Sequence, residues 1–245
     1  MEILDLGERS YAEVLSFQRA LAADRISGAL PHDVLVLVEH PPVVTLGRRE
    51  KDNKLPVGAK FLASRGIELF EVERGGGVTF HGPGQLVGYP IFNLRQHRED
   101  LHWYLRTVEE ALIRALAAFD IPAERNDGFT GVWTRGRKIA SIGVHARSWV
   151  TWHGFALNVT TDLSYFDLMT PCGIDGVVMT SVAREIPNVP VSVYEVAPRV
   201  ADAFGELFTM EPVWTRVTGA LQSEPPLWKA RHSSRADGYD RNRRR

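Results

Sequence analysis

Residues 74–94 read RGGGVTFHGPGQLVGYPIFNL. Arg74 is followed by Gly75, Gly76 and Gly77, then by Val78, Thr79, Phe80 and His81. A break at Gly82-Pro83-Gly84 precedes an apolar run from Leu86 to Leu94. A glycine run is costly to order, and a fold keeps one where backbone must lie close to something else. The order is glycine loop, short strand, tight turn, buried strand. It reads as a backbone-lined ligand wall, because a flexible linker lacks the apolar run that follows. A glycine-rich hairpin with no ligand is the competing reading. The stretch is not a dinucleotide fingerprint, since G-x-G-x-x-G with a following helix is absent, and no Gly-Lys-Ser/Thr ends it as in a phosphate-binding loop.

On either side of this stretch the chain mixes strands and helices. Ile3–Leu6 suits a short strand. Ser10 with Glu13 three positions on suits a capping box, opening a helix to about Ser27 with Val14, Phe17, Leu21 and Ala22 on one face. Asp33–Glu39, DVLVLVE, is a near-continuous apolar strand expected to be buried on both faces. His40-Pro41-Pro42 breaks it, and VVTLG at 43–47 is extended again. Residues 48–60 are charged and aperiodic, which predicts a mobile loop. A short helix over 61–68 and a strand over Leu69–Glu73 lead into the glycines.

Apolar residues at 101, 105, 108, 112, 116 and 119 mark an amphipathic helix. Lys138–Ala146 and Val150–Val159 predict a hairpin closed by Arg147-Ser148-Trp149. Residues 160–175 are irregular, and Val196–Met210 reads as a last helix. Without strict βαβ alternation or repeats, the expected fold class is α+β with a mixed, largely antiparallel sheet flanked by helices. Residues 1–215 form the expected catalytic domain and 216–245 a C-terminal extension.

Composition narrows the function. The chain has 245 residues, 44% of them apolar, and a net charge of −1. Residues 229–245 carry seven Lys/Arg against two Asp, or +5, leaving 22 basic and 28 acidic side chains, or −6, in the remainder. A mildly acidic body gives no footprint for nucleic acid. The tail from Lys229 reads as polar and disordered. One cysteine forbids an intramolecular disulfide and suits a reducing compartment. MEILDLGERSYAEV lacks the basic start and apolar core of a signal peptide, and no apolar run approaches 18 residues. A soluble, cytoplasmic protein without a membrane partner is expected.

The one sulfur, Cys172, stands between Pro171 and Gly173, a setting that can present a thiol at a loop tip. A small buried filler is the alternative. A nucleophilic cysteine needs a thiolate, and a neighbouring cation favours one. Lys138 is a candidate because it opens the apolar strand KIASIGV; a lysine guarding a sheet edge is the other reading. Lys229, His81, His145 and His153 are further candidates. No HExxH is present and one cysteine excludes a multi-thiolate zinc site, so no metal site is expected. His145 and His153 could face each other across the hairpin. A serine hydrolase is disfavoured by the absence of G-x-S-x-G.

Several segments together resemble one family. RGGGVTFHGPGQLVGYPIFNL, KIASIGVHA, HGFALNV and PCGI, in that order and after HPPVVTLGR at 40–48, look like the lipoyl(octanoyl) transferases. The likeness extends over roughly residues 1–210 and excludes the basic tail. It implies a fold shared with biotin and lipoate protein ligases. It implies transfer of an octanoyl group from octanoyl-acyl carrier protein to a lysine of lipoyl domains, those of 2-oxoacid dehydrogenase E2 subunits and of the glycine cleavage H protein. It implies no cofactor.

By motif match, Cys172 is the acyl-carrying nucleophile and Lys138 the partner that lowers its pKa. The acyl site would be lined by Arg74, Gly75, Gly76, Gly77, Val78, Thr79, Phe80 and His81, with Ser141, Ile142, Gly143, Gly154, Phe155 and Ala156. Position 80 departs from the family pattern, being Phe where many members carry Tyr or another aromatic. An ATP-dependent lipoate ligase and a non-catalytic acyl-carrier or lipoyl-domain binding module are the rival readings.

Overall fold

A computed structural model describes residues 1–173 and 176–221, except for the side chain of Cys172. The basic tail from Lys229 lies outside the described residues. The elements are β1 (Glu2–Glu8), α1 (Tyr11–Ser27), β2 (Val34–Glu39), β3 (Val43–Leu46), α2 (Ala59–Ser64), β4 (Glu68–Glu71), β5 (Thr79–His81), β6 (Gln85–Ile91), α3 (Leu101–Ala117), β7 (Glu124–Asn126), β8 (Phe129–Thr134), β9 (Arg137–Arg147), β10 (Val150–Asn158), α4 (Val182–Glu185), α5 (Val193–Phe208) and β11 (Val213–Arg216). Short 3-10 turns occupy Glu50–Asp52, Leu94–Gln96, Leu163–Leu168 and Pro171–Gly173.

Eight strands make one sheet in the order β11-β1-β2-β6-β10-β9-β8-β7, and three make a second, β4-β3-β5. In the large sheet only β11–β1 and β1–β2 run parallel. The expected mixed, largely antiparallel sheet is therefore borne out. Period-two alternation explains the burial of β2 on both faces. Val34, Val36 and Val38 join the layer under α1, whereas Leu35 and Leu37 join the core under α3 and α5. Each such fully buried side chain contributes about 1.5–3 kcal/mol.

The β9–β10 hairpin turns through Ser148 and Trp149, both left-handed at φ 52° and 65°. Its register sets Trp152 opposite His145 and His153 opposite Val144. The two histidines therefore do not face each other; the His145 ring packs instead 4.3 Å from that of Trp152.

The 48–60 segment differs from the loop its charge pattern suggests. Arg49 N–H donates to Gly76 O, Val78 N–H to Asp52 O and Thr170 N–H to Lys54 O. These are backbone bonds, which leave no trace in side-chain periodicity. They pin Glu50–Asp52 between the glycine run and the segment leading to Pro171.

Candidate active site

A cleft open to solvent lies where the two sheets meet. One wall is Arg74, Gly75, Gly76, Thr79 and His81. The other is Ser141, Ile142 and Gly143 of β9 with Gly154, Phe155 and Ala156 of β10. Eleven of the fourteen residues expected around an acyl chain thus line one space, although the 74–81 segment lies about 60 positions from the nearer of the other two. Gly77, Val78 and Phe80 are not among them. Gly77 is pressed against Asp52, where a Cβ would stand 2.2 Å from the Asp52 carbonyl oxygen. Val78 and Phe80 point to the opposite side of β5, into a core with Phe166 and Met169. Phe80 stacks on Tyr165 at 4.3 Å and 7°, a packing role that needs no phenolic hydroxyl.

Arg74 is 6% exposed and serves the loop that follows it. Its guanidinium donates to Gly77 O at 2.8 Å, to Thr45 O at 2.8 Å and to Thr45 Oγ1 at 2.7 Å. A rigid fork of donors meeting fixed carbonyls orders a glycine segment that has no side chains to pack. Gly75 N–H adds a bond to Val144 O at 2.9 Å, tying the loop to β9. The glycines are required by that approach, since a Cβ at Gly143 would lie 2.7 Å from Gly75 O.

Four further residues line the cleft that the sequence does not assign to it: Tyr11, which lies outside the motifs, and Val87, Tyr89 and His153, which lie within them. Val87 and Tyr89 follow from the alternation of β6 once one face is assigned to the cleft. Tyr11 arrives from the first turn of α1. Its ring stacks on His81 at 5.9 Å and meets His40 at 5.2 Å, and burial pushes its hydroxyl pKa up to about 12. His40 pairs its Nε2 with Tyr89 OH at 2.8 Å. Burial holds the pKa of His40 down at about 4 and that of His81 at about 3, so both rings stay neutral near pH 7. Behind the loop, His153 lies 3.7 Å from Glu73. Glu73 also accepts two bonds from Arg19 and one from Trp152 Nε1. Together, the imidazole first, they hold its carboxyl well below the usual range.

Lys138 is wholly buried, which removes the edge-guard reading. It does not line the cleft: its ammonium lies 4.8 Å from the Trp133 ring centroid and donates to Thr130 O at 3.3 Å. Gly131 makes room for it, for a Cβ there would stand 2.8 Å from Lys138 Cε. Gly131 is held in turn by its N–H to Glu109 Oε1 at 3.1 Å. The backbone of Lys138 pairs with the returning chain, giving its N–H to Val178 O at 2.8 Å and accepting from Thr180 N–H at 2.9 Å.

That returning chain has just left the turn Pro171–Gly173, which contains Cys172 and packs against β5 and Glu50–Asp52. From Gly173 to Val178 the chain spans at most about 17 Å. The Cys172 side chain lies outside the described structure. A buried chain of bonds joins the two walls: His81 Nδ1 to Gln85 Oε1 at 2.9 Å, Gln85 Nε2 to Asn158 Oδ1 at 2.9 Å, and Asn158 Nδ2 to Thr180 O at 3.0 Å.

Among the described residues, no group of three or more His, Cys, Asp or Glu side chains is placed to hold a metal ion. None of their helices is long and apolar enough to cross a membrane.

The model of the lipoyl protein ligase A/B catalytic domain matches residues 10–205. The chain belongs to this family. An octanoyltransferase of Rubrobacter xylanophilus is 52% identical over 182 residues, covering 74% of this chain and 81% of the relative. One of Nostoc sp. is 46% identical over 208 residues, covering 84% and 91%.

Solved structures of the family resemble it in fold. A bipartite lipoate protein ligase of Thermoplasma acidophilum superposes with TM-score 0.68 at 19% identity, covering 91% of this chain and 89% of that one. A lipoate-protein ligase A bound with ATP gives 0.66 at 22%, covering 91% and 92%. The expected lipoate-ligase fold is borne out.

Proposed function

We propose that this chain is an acyltransferase of protein lipoylation that moves an octanoyl group from octanoyl-acyl carrier protein to the lysine of a lipoyl domain through a thioester on Cys172. The observation that carries the reading is the pairing of Val178–Thr180 with Lys138. It brings the chain that follows the cysteine-bearing turn back to the strand of a buried lysine, a short stretch of chain from position 172. The octanoyltransferase relatives favour transfer over ATP-dependent ligation.

The Cys172 thiolate attacks the thioester carbonyl and forms a carbon–sulfur bond. The carbonyl electron pair moves to oxygen, then returns as the bond to the carrier sulfur breaks, and the carrier thiolate takes a proton from Lys138. The acceptor lysine, as a neutral amine, attacks octanoyl-Cys172. Its proton passes to Lys138 and the Cys172 thiolate leaves, which gives an amide without ATP. Seven carbons beyond the carbonyl, at about 0.8 kcal/mol each, supply on the order of 5 kcal/mol of binding in the cleft.

We take residues 1–215 as the catalytic domain and 216–245 as an extension, and place the protein in the cytoplasm. E2 subunits of 2-oxoacid dehydrogenases and the glycine cleavage H protein are the proposed acceptors. Intact-mass spectrometry after mixing with octanoyl-carrier is expected to show one octanoyl adduct, lost in Cys172→Ser and discharged by a lipoyl domain. Full ATP-dependent lipoate ligation by Cys172→Ser, with no adduct on the wild type, would refute the transferase reading.

A further inference from the structure

Two hydroxyls in the cleft have no use within the described fold. Thr79 Oγ1 and Ser141 Oγ are buried, and neither has a hydrogen-bond partner among the described residues. Both residues line the cleft, Thr79 at 5% and Ser141 at 9% exposure. They stand on different walls. Thr79 is on β5, opposite Thr45, and β5 is in contact with the turn that carries Cys172. Ser141 is on β9, between Ala156 and Gly131, three positions after Lys138. The His153 ring also lines the cleft without a hydrogen-bond partner among the described residues, its Nε2 3.7 Å from the Glu73 carboxylate.

A buried hydroxyl without a partner is destabilising, and a ligand oxygen entering this cleft can satisfy it. An octanoyl thioester offers one oxygen. Its alkyl tail neither donates nor accepts. That oxygen has two lone pairs in the ground state and gains charge when the thiolate adds, which strengthens every bond donated to it.

The geometry points to Thr79 and Ser141 as a pair of side-chain donors to the thioester carbonyl oxygen, catalytic residues that stabilise the oxyanion in both half-reactions. This rests on the acyl-enzyme reading given above. The donors carry no net charge and transfer no proton. They accept none from the thiol, so they leave the thiolate's formation to Lys138.

The test separates the half-reactions. The wild type is mixed with octanoyl-carrier and the rate of adduct formation followed by intact mass; purified octanoyl-enzyme is then discharged with a lipoyl domain. Thr79→Val, which keeps the shape, and Ser141→Ala are each expected to slow both steps roughly 10²-fold. The KM for the carrier and the rate of Cys172 alkylation by iodoacetamide should stay as in the wild type, because alkylation forms no oxyanion. Thr79→Ser should recover most of the rate, and Tm should not fall in Thr79→Val.

Wild-type acylation rates in both variants would overturn the assignment and leave the acyl-enzyme standing. Slowing of discharge alone would overturn it in favour of contacts to the acceptor amine. Loss of alkylation together with a lower Tm would reduce both residues to packing. A wild type that forms no adduct would remove the acyl-enzyme itself, and the assignment with it, before any variant is read.

Discussion

Gly173 and Asp52 touch so closely that a Cβ at position 173 would stand 2.7 Å from Asp52 Cβ and 2.8 Å from Asp52 Cα. Gly173 is also left-handed, at φ 68°, a conformation that penalises any L side chain by about 1–2 kcal/mol. Asp52 cannot retreat, because its other side carries Gly77 and its carbonyl accepts from Val78 N–H. Gly173→Ala must therefore move the turn that holds Cys172. Its expected effect is a loss of acyl transfer of tenfold or more with the overall fold retained. Adduct formation by intact mass, alongside a thermal melt, checks this.

Lys138 sits over Trp133 with no exposure. Lys138→Met keeps the length of the side chain and removes the charge. Transfer is expected to fall at least 10²-fold, the scale of lost acid–base catalysis. The pH profile of Cys172 alkylation should move upward, since the cation that favours the thiolate is gone. An unmoved profile would dissolve the pairing of amine and sulfur.

Arg74 orders the glycine loop through Thr45 and Gly77. Lysine cannot reproduce the fork and leaves at least one buried carbonyl unpaired. Arg74→Lys is expected to lose about 3 kcal/mol of stability, the scale of one or two charge-assisted bonds. Urea denaturation gives the value directly. A change within error would mean that the loop holds its shape without the guanidinium.

His40 and His81 make stability fall in mild acid. In the unfolded chain each takes up a proton near pH 6.5. In the fold, burial delays this to about 4 for His40 and about 3 for His81. Below pH 6.5 the unfolded state therefore binds more protons, and stability drops as pH falls toward the folded values. Each ring contributes about 1.4 kcal/mol per pH unit across that window. Stability should be flat from pH 8 to 7 and decline steeply from 6.5 to 4.5, before most carboxylates titrate. Urea midpoints that hold constant down to pH 4.5 would contradict the buried neutral rings.

The cleft's glycine walls admit a straight chain, and Tyr11, Tyr89 and His81 are part of its lining. One methylene more or less discriminates roughly 10–200-fold. Octanoyl should be preferred over nonanoyl within that range in a competition assay read by mass. Equal turnover of chains several carbons longer would require an open end.

What could be read directly were elements whose partners are local or whose pattern is periodic. The β9–β10 hairpin, the amphipathic α3 and the doubly buried β2 all declare themselves through alternation or turn chemistry. The strand β11 did not. Its Val213 and Trp214 are exposed, and it pairs with β1 about 210 positions away, a contact no local window contains. Tyr11 was missed as a cleft residue because its position depends on how α1 lies across the sheet. The Glu50–Asp52 turn was missed because backbone groups fix it. Within the site, eleven of the fourteen motif residues line one cleft, but the motifs do not distinguish the two faces around β5. Once its register is known, alternation separates Thr79 and His81 from Val78 and Phe80.

One strand carries both Lys138 at its start and Ser141–Gly143 along the cleft. The amine and half of the pocket are thus parts of a single rigid rod, paired on both sides. Remodelling the pocket from that side would drag the amine with it. Selection for a shorter or longer chain is freest on the opposite bank, at Tyr11 and Tyr89, where a ring can shrink or grow without disturbing the chemistry. Drift among relatives in acyl preference should accordingly be written in α1 and β6.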